Sequence, residues 1–140
     1  MSGCSEVRRF ARRHLRTERR HLGITQDLLP LSQRSRLLPL WNAAGFIAGA
    51  LPSVFGARAV YATIEAVETF VESHYRQQVE RIEDDGRWAQ VRESLESCRQ
   101  DELSHRDEAR HLGAGARGMV LRVWLRAATI GSAVAVARRI

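Results

Sequence analysis

Two segments of the chain each carry a glutamate and a histidine three residues apart: Glu18 and His21 in TERRHL, and Glu102 and His105 in DELSH. On a helix such a pair stands about 60° apart on one face, so both side chains can address one ion. Carboxylate oxygen together with neutral imidazole suits iron or manganese better than magnesium or calcium. A single E-x-x-H is a weak signal, because both residues are common on wet helix faces. Two on separate helices say more: di-iron carboxylate bundles use two such motifs plus a lone Glu from each of two other helices. Glu68 offers one lone Glu. It lies in the apolar stretch YATIEAVETFV, where an unpaired carboxylate is costly unless it meets a cation or is protonated. Glu65 and Glu72 flank it at helical spacing; one of the three faces inward, and Glu68 is the choice. Asp101 and Asp107 lie close enough in sequence to orient the histidines, although a solvated helix face is the plainer role for each.

The elements that must position these residues are helical. Pro30, Pro39, Pro52, Gly86 and the glycines at 113, 115 and 118 punctuate a chain with few β-branched alternations. The pattern predicts helices over about 5–29, ending before Pro30, over about 54–83, over about 87–112 and over about 117–139. Between the first two, LWNAAGFIAGAL (40–51, closed by Pro52) is too short to span a bilayer and too apolar for a free surface helix. The fold class is all-α.

The 140 residues suit one domain, with 44% hydrophobic and 27% charged residues, which argues against disorder and against multiple membrane spans. Two cysteines and no CxxC exclude a disulfide scaffold and a cysteine-based zinc module. All 22 cationic side chains are arginine, as coding bias in a GC-rich genome would give. Residues 1–36 carry nine Arg against three acids, 37–115 eight Arg against thirteen acids, and 116–140 five Arg and none. Basic ends around an acidic middle suit anionic headgroups outside and a metal within. They do not suit a nucleic-acid binder, which the scarcity of stacking aromatics among residues 8–20 also disfavours. The first twenty residues lack the apolar core of a secretory signal; their Arg-rich composition is that of a transit peptide, but they run unbroken into the helical pattern.

Residues 39–82 (PLWNAAGFIAGALPSVFGARAVYATIEAVETFVESHYRQQVERI), followed by DELSH, resemble the demethoxyubiquinone hydroxylases of ubiquinone biosynthesis. The matches are Pro39–Leu40–Trp41–Asn42, Gly45–Phe46, Ala66–Val67–Glu68, His74–Tyr75, Gln78 and Glu102–Leu103–His105, with TERRHL as the earlier E-x-x-H. The resemblance covers about residues 12–140, leaving the Arg-rich start, 1–11, outside it. It implies a single ferritin-like domain with an extra apolar interfacial helix and a di-iron centre. That centre activates O₂, with NADH as the expected reductant, and hydroxylates the ring of a demethoxy-polyprenyl-quinone. Glu18 and Glu102 become bridging carboxylates, His21 and His105 terminal imidazoles, and Glu68 a terminal carboxylate. His74 and Tyr75 match positions near the substrate, where they can place the quinone or assist electron and proton delivery; Tyr75 can equally be a core aromatic.

One departure matters. The helix that brings the family's fourth Glu finds no room ahead of Glu18. Glu6, the only acid upstream, is about 18 Å away along a helix and about 120° around it. An alternative is therefore a non-catalytic quinone- or lipid-binding relative with an incomplete metal site; a ferroxidase is a further one. Expected partners are the quinone, a membrane surface met by the 40–56 segment and the last helix, and a second copy or another ubiquinone-biosynthesis protein. The expected location is the cytoplasmic face of a bacterial inner membrane, or else the matrix side of the mitochondrial one.

Overall fold

The computed structural model describes residues 2–33, 38–82 and 86–114. Among these every regular element is helical: α1 (Ser2–Leu28), a 3₁₀ turn (Leu31–Gln33), α2 (Leu38–Ser53), α3 (Ala57–Arg81) and α4 (Ala89–Leu112). The sequence-predicted helix over 117–139 lies outside the described residues.

The boundaries follow local chemistry. α1 stops two residues short of Pro30, whose ring disfavours helical backbone before it. α2 starts two residues earlier than expected and includes Pro52 in its last turn. The chain leaves α2 through short-range bonds, Phe55 N–H to the Pro52 carbonyl at 2.9 Å and Gly56 N–H to that of Ser53 at 3.2 Å. Gly56 then takes φ +93°, a left-handed value that glycine alone adopts at no steric cost, and its carbonyl accepts the first amides of α3.

α3 and α4 form the main antiparallel pair, and α1 lies across both, while α2 packs on α3. Gly113, which closes α4 with its N–H on the Ala109 carbonyl at 2.8 Å, shows how close the pair comes. A Cβ on Gly113 would sit 3.2 Å from Tyr61 Cβ and 3.3 Å from the Ala62 amide nitrogen. The apolar core is small: Phe10 of α1, Tyr61 of α3 and Ala109 of α4, with Val7, Ala57 and Ile64 against them. Phe10 and Tyr61 meet edge to face at 5.1 Å between centroids, the geometry that ring quadrupoles favour.

Beyond this cap the interior turns polar. His14 and His21 of α1, Thr63 and Glu72 of α3, and Glu102 and His105 of α4 are all buried. On α1 the buried residues Phe10, His14 and His21 recur at spacings of four and seven, a single stripe facing the other helices. A bundle that spends its interior on imidazoles and carboxylates needs something to balance them, because buried polar groups persist only when partnered.

Candidate metal centre

Glu102 stands at the middle of that polar interior, 1% exposed. Its Oε1 lies 3.0 Å from His21 Nδ1 and its Oε2 lies 3.5 Å from His105 Nδ1. Glu18 also approaches both rings, Oε2 at 3.9 Å from His21 Nδ1 and Oε1 at 3.6 Å from His105 Nδ1. Each E-x-x-H carboxylate therefore reaches its own histidine and the one on the facing helix. Glu68 enters from α3, and donor atoms of Glu18, Glu68, Glu102 and His105 all fall within 4.8 Å of one another. His21 stands beside this group through its contact with Glu102. All five ligands expected from the sequence are thus gathered where α1, α3 and α4 meet.

The competing glutamates are engaged elsewhere. Glu72, which is also buried, takes the Arg99 guanidinium at 2.9 Å, and Glu65 pairs with Arg110 at 2.7 Å. Glu72 is thus turned inward to a cation and not toward water, as had been expected of the two neighbours of Glu68.

The fit of a metal rests on buried atoms that meet each other only at ion-pair distance. His21 Nδ1, Glu102 Oε2 and His105 Nδ1 are buried without a well-formed hydrogen bond, an arrangement that costs free energy unless something further compensates it. They are three donor atoms of the types that divalent iron accepts, and they converge. Bound cations are the compensation that a desolvated set of this kind calls for.

The electrostatics agree. Burial pushes the Glu68 carboxyl far above the usual carboxylate range, with the charges of Glu102 and Glu18 adding to it. Burial acts on Glu102 in the same sense, but His105, His21 and the protonated Glu68 outweigh it and hold Glu102 well down. Glu18, at the edge of the group with its side chain 48% exposed, is raised by partial desolvation and by the Glu102 charge. Three carboxyls thus share too little positive charge, and one keeps its proton. For His21, burial is overcome by Glu102 and Asp101, which raise its pKa.

Asp101 is the residue that sequence reasoning undervalued. Its Oδ2 lies 2.9 Å from His21 Nε2, and Arg20 pairs with the same oxygen. A carboxylate on the distal nitrogen fixes ring orientation and tautomer, leaving Nδ1 for an ion. Asp107 behaves as the plainer reading had it, on an exposed face with Arg106 at 2.8 Å. His74 takes no part in the cluster: its Nε2 faces the Gln78 amide at 3.0 Å, and its ring lies parallel to Phe70. Tyr75 presents its ring to His21 at 6.3 Å, edge on. Burial, then Cys98 and the nearby carboxylates, push its phenol up, so it stays a neutral O–H donor. The structure thus places Tyr75 beside the candidate centre, while His74 contacts Gln78 and Phe70 instead. His14 and Glu108, absent from the expected site, lie one turn further along.

The chain matches the family model described as "Ubiquinone biosynthesis protein COQ7" over residues 1–138. It belongs to that family. The demethoxyubiquinone hydroxylase resemblance stands, and the all-helical architecture accords with the ferritin-like bundle it implies. The chain is 36% identical over 99 residues to the 3-demethoxyubiquinol 3-hydroxylase of Rhodospirillum rubrum, covering 69% of this chain and 45% of that protein. It is 33% identical over 95 residues to the mouse mitochondrial NADPH-dependent 3-demethoxyubiquinone 3-hydroxylase, covering 64% and 43%. It is 37% identical over 70 residues to the mitochondrial protein of the same description in Dictyostelium discoideum, covering 49% and 32%. The chain thus spans less than half the length of these relatives. No solved structure gives a significant match. Among the described residues no helix is long and apolar enough to cross a membrane.

Proposed function

We propose that this COQ7-family chain carries the metal-binding heart of an O₂-dependent hydroxylase acting on the ring of a demethoxy-polyprenyl-quinone. The observation that carries the reading is the set of converging donor atoms, His21 Nδ1, Glu102 Oε2 and His105 Nδ1, buried without a well-formed hydrogen bond beside Glu18 and Glu68. Glu18 and Glu102, each within reach of both imidazoles, suit bridging positions; His21, His105 and Glu68 suit terminal ones. A pair of ferrous ions held there would supply two electrons to O₂, the oxidant, so that one oxygen atom enters the ring and the other leaves as water.

The remaining work falls to the protein. Glu68 must lose its proton to act as a ligand, so loading the site releases protons and strengthens as pH rises. Asp101 and Arg20 hold the His21 ring in the orientation that frees Nδ1. Cys98 and the packed α3–α4 seam keep bulk water from Glu102, which preserves the strength of every charge interaction in the site. Tyr75, neutral and beside His21, is suited to hold a hydrogen bond to a bound quinone oxygen. The expected electron source is a reduced nicotinamide dinucleotide, NADH by the sequence reading, whereas the mouse and Dictyostelium relatives are named for NADPH.

A quinone with a polyprenyl tail has to be met at a membrane. Phe46, Ile47, Leu51, Val54 and Phe55 all stand exposed along and just after α2, and a short apolar helix of this kind is suited to lie in the interface. A peripheral position is the corresponding proposal for location, on a bacterial inner membrane or on its mitochondrial counterpart.

The test is bound iron per chain after anaerobic loading with Fe(II), followed by mass spectrometry of a short-tailed demethoxyquinol incubated with O₂ and reductant. About two irons per chain, lost in Glu102→Ala, together with a product heavier by one oxygen, is the expected result. Full iron in Glu102→Ala would refute the site. Iron without product would leave a non-catalytic relative.

A further inference from the structure

A second histidine-carboxylate-arginine arrangement repeats the one that holds His21. In the first, Arg20 pairs with Asp101, and Asp101 Oδ2 lies 2.9 Å from His21 Nε2. In the second, Arg13 pairs with Glu108, and Glu108 Oε2 lies 3.4 Å from His14 Nε2. Arg13 and Arg20, His14 and His21, and Asp101 and Glu108 are each separated by seven residues, about two helical turns, so each pair shares a face. Two antiparallel helices thus present the same triplet twice, and in the first copy the histidine's other nitrogen, Nδ1, faces Glu102 Oε1 at 3.0 Å in the candidate metal centre.

His14 has the surroundings of a ligand. It is 7% exposed. Its ring stacks on His105 at 3.8 Å with 21° between planes, and on its other side lies Phe10. A donor atom of His14 falls within 4.8 Å of those of Glu68 and His105, so the group that Glu68 and His105 form with Glu18 and Glu102 extends to it. Donors about 2.1 Å from one ion stand at most about 4.2 Å apart, so a few tenths of an ångström of side-chain movement completes the set.

We propose that His14 is a third imidazole ligand of the centre, binding the ion on the His105 side, with Glu108 and Arg13 positioning it as Asp101 and Arg20 position His21. This rests on the metal-centre reading above. It makes the nitrogen content of the site higher than that of two E-x-x-H motifs alone, and it predicts a more nitrogen-rich, more strongly held ion beside His105 than beside His21.

The test uses the full chain titrated anaerobically with Co(II), whose visible bands report ligand type and number. The variants are His14→Phe, which keeps the stack between Phe10 and His105 but removes both nitrogens, His14→Gln, Glu108→Gln and Glu102→Ala. The two His14 variants are expected to weaken binding of one Co(II) at least about tenfold and to change its bands, with unaltered helical circular dichroism. Glu108→Gln is expected to weaken the same ion about tenfold. If Glu102→Ala loses Co(II) while the His14 and Glu108 variants bind it as wild type does, the His14 proposal alone is overturned. If wild type binds no Co(II), or Glu102→Ala binds it unchanged, the centre itself falls and His14 with it. Glu108 is partly exposed, so Glu108→Gln decides the matter should both ring replacements fail to fold.

Discussion

Glu68 is the residue at which stability and function pull hardest against each other. Its carboxyl is pushed up to about 10 by burial and by the facing charges of Glu102 and Glu18. In the unfolded chain the same group ionises near 4.5. Folding without metal at pH 7 must therefore take up a proton. A raised carboxyl contributes stability that is fully present below pH 4.5 and is lost as pH rises toward 10, because the folded state binds the proton that the unfolded state releases. Between pH 4.5 and 7 the loss is 2.5 pH units at about 1.36 kcal/mol each, or about 3 kcal/mol. Glu68→Gln keeps the shape and a donor toward Glu102 and removes the ionisation. The metal-free variant should therefore be more stable than metal-free wild type at pH 7 by up to about 3 kcal/mol, on the order of 10 °C in melting midpoint. The gain should vanish near pH 4. With Fe(II) or Co(II) in excess the order should reverse, because wild type gains the binding free energy of a carboxylate ligand and the variant does not. Thermal melts at pH 4, 5.5 and 7, with and without metal, read all of this. A metal-free Glu68→Gln that is less stable than wild type at pH 7, or an advantage that metal fails to reverse, would refute the reasoning.

Asp101→Asn leaves His21 without the carboxylate that orients it, and metal affinity should fall about 10- to 100-fold, read by competition with a chelator. Tyr75→Phe and His74→Ala should retain full iron by elemental analysis but lower turnover or raise the KM for quinone; loss of iron in either would move that residue into the ligand set. Gly113→Ala drives a methyl against Tyr61 Cβ and the Ala109 carbonyl oxygen, and should cost about 1–3 kcal/mol by denaturant titration.

Much of the candidate site's geometry was legible because residue types suited to metal ligation recur in the sequence with local periodicity. Glu and His three residues apart share a helix face whatever that helix packs against, so Glu18 with His21 and Glu102 with His105 needed no tertiary knowledge. Glu68 was legible for a different reason: an acid in an apolar run has to be explained, and its neighbours Glu65 and Glu72 find arginines on α4. Those arginine pairings were not legible, since nothing in the register of one helix reveals which residues of another will face it. The helix bounds erred at prolines and turns. Pro52 sits in the final turn of α2 instead of ending it at 51, where its missing amide costs little because the helix is already unwinding.

His14 went unread because it sits outside any E-x-x-H: the residue three before it, Ala11, is apolar. Its carboxylate partner lies on another helix, Glu108 of α4, and only the antiparallel pairing of α1 with α4 brings them together. The signal was nonetheless present as a period. Arg-His occurs at 13–14 and again at 20–21, and acids occur at 101 and 108, so both helices repeat at seven. A seven-residue repeat of apolar residues reads as a packing seam; a seven-residue repeat of charged pairs and imidazoles, in step on two facing helices, reads as one coordination motif laid down twice. The repeat is spread over two helices at once, so the periodicity of a single helix marks His21 and passes over His14.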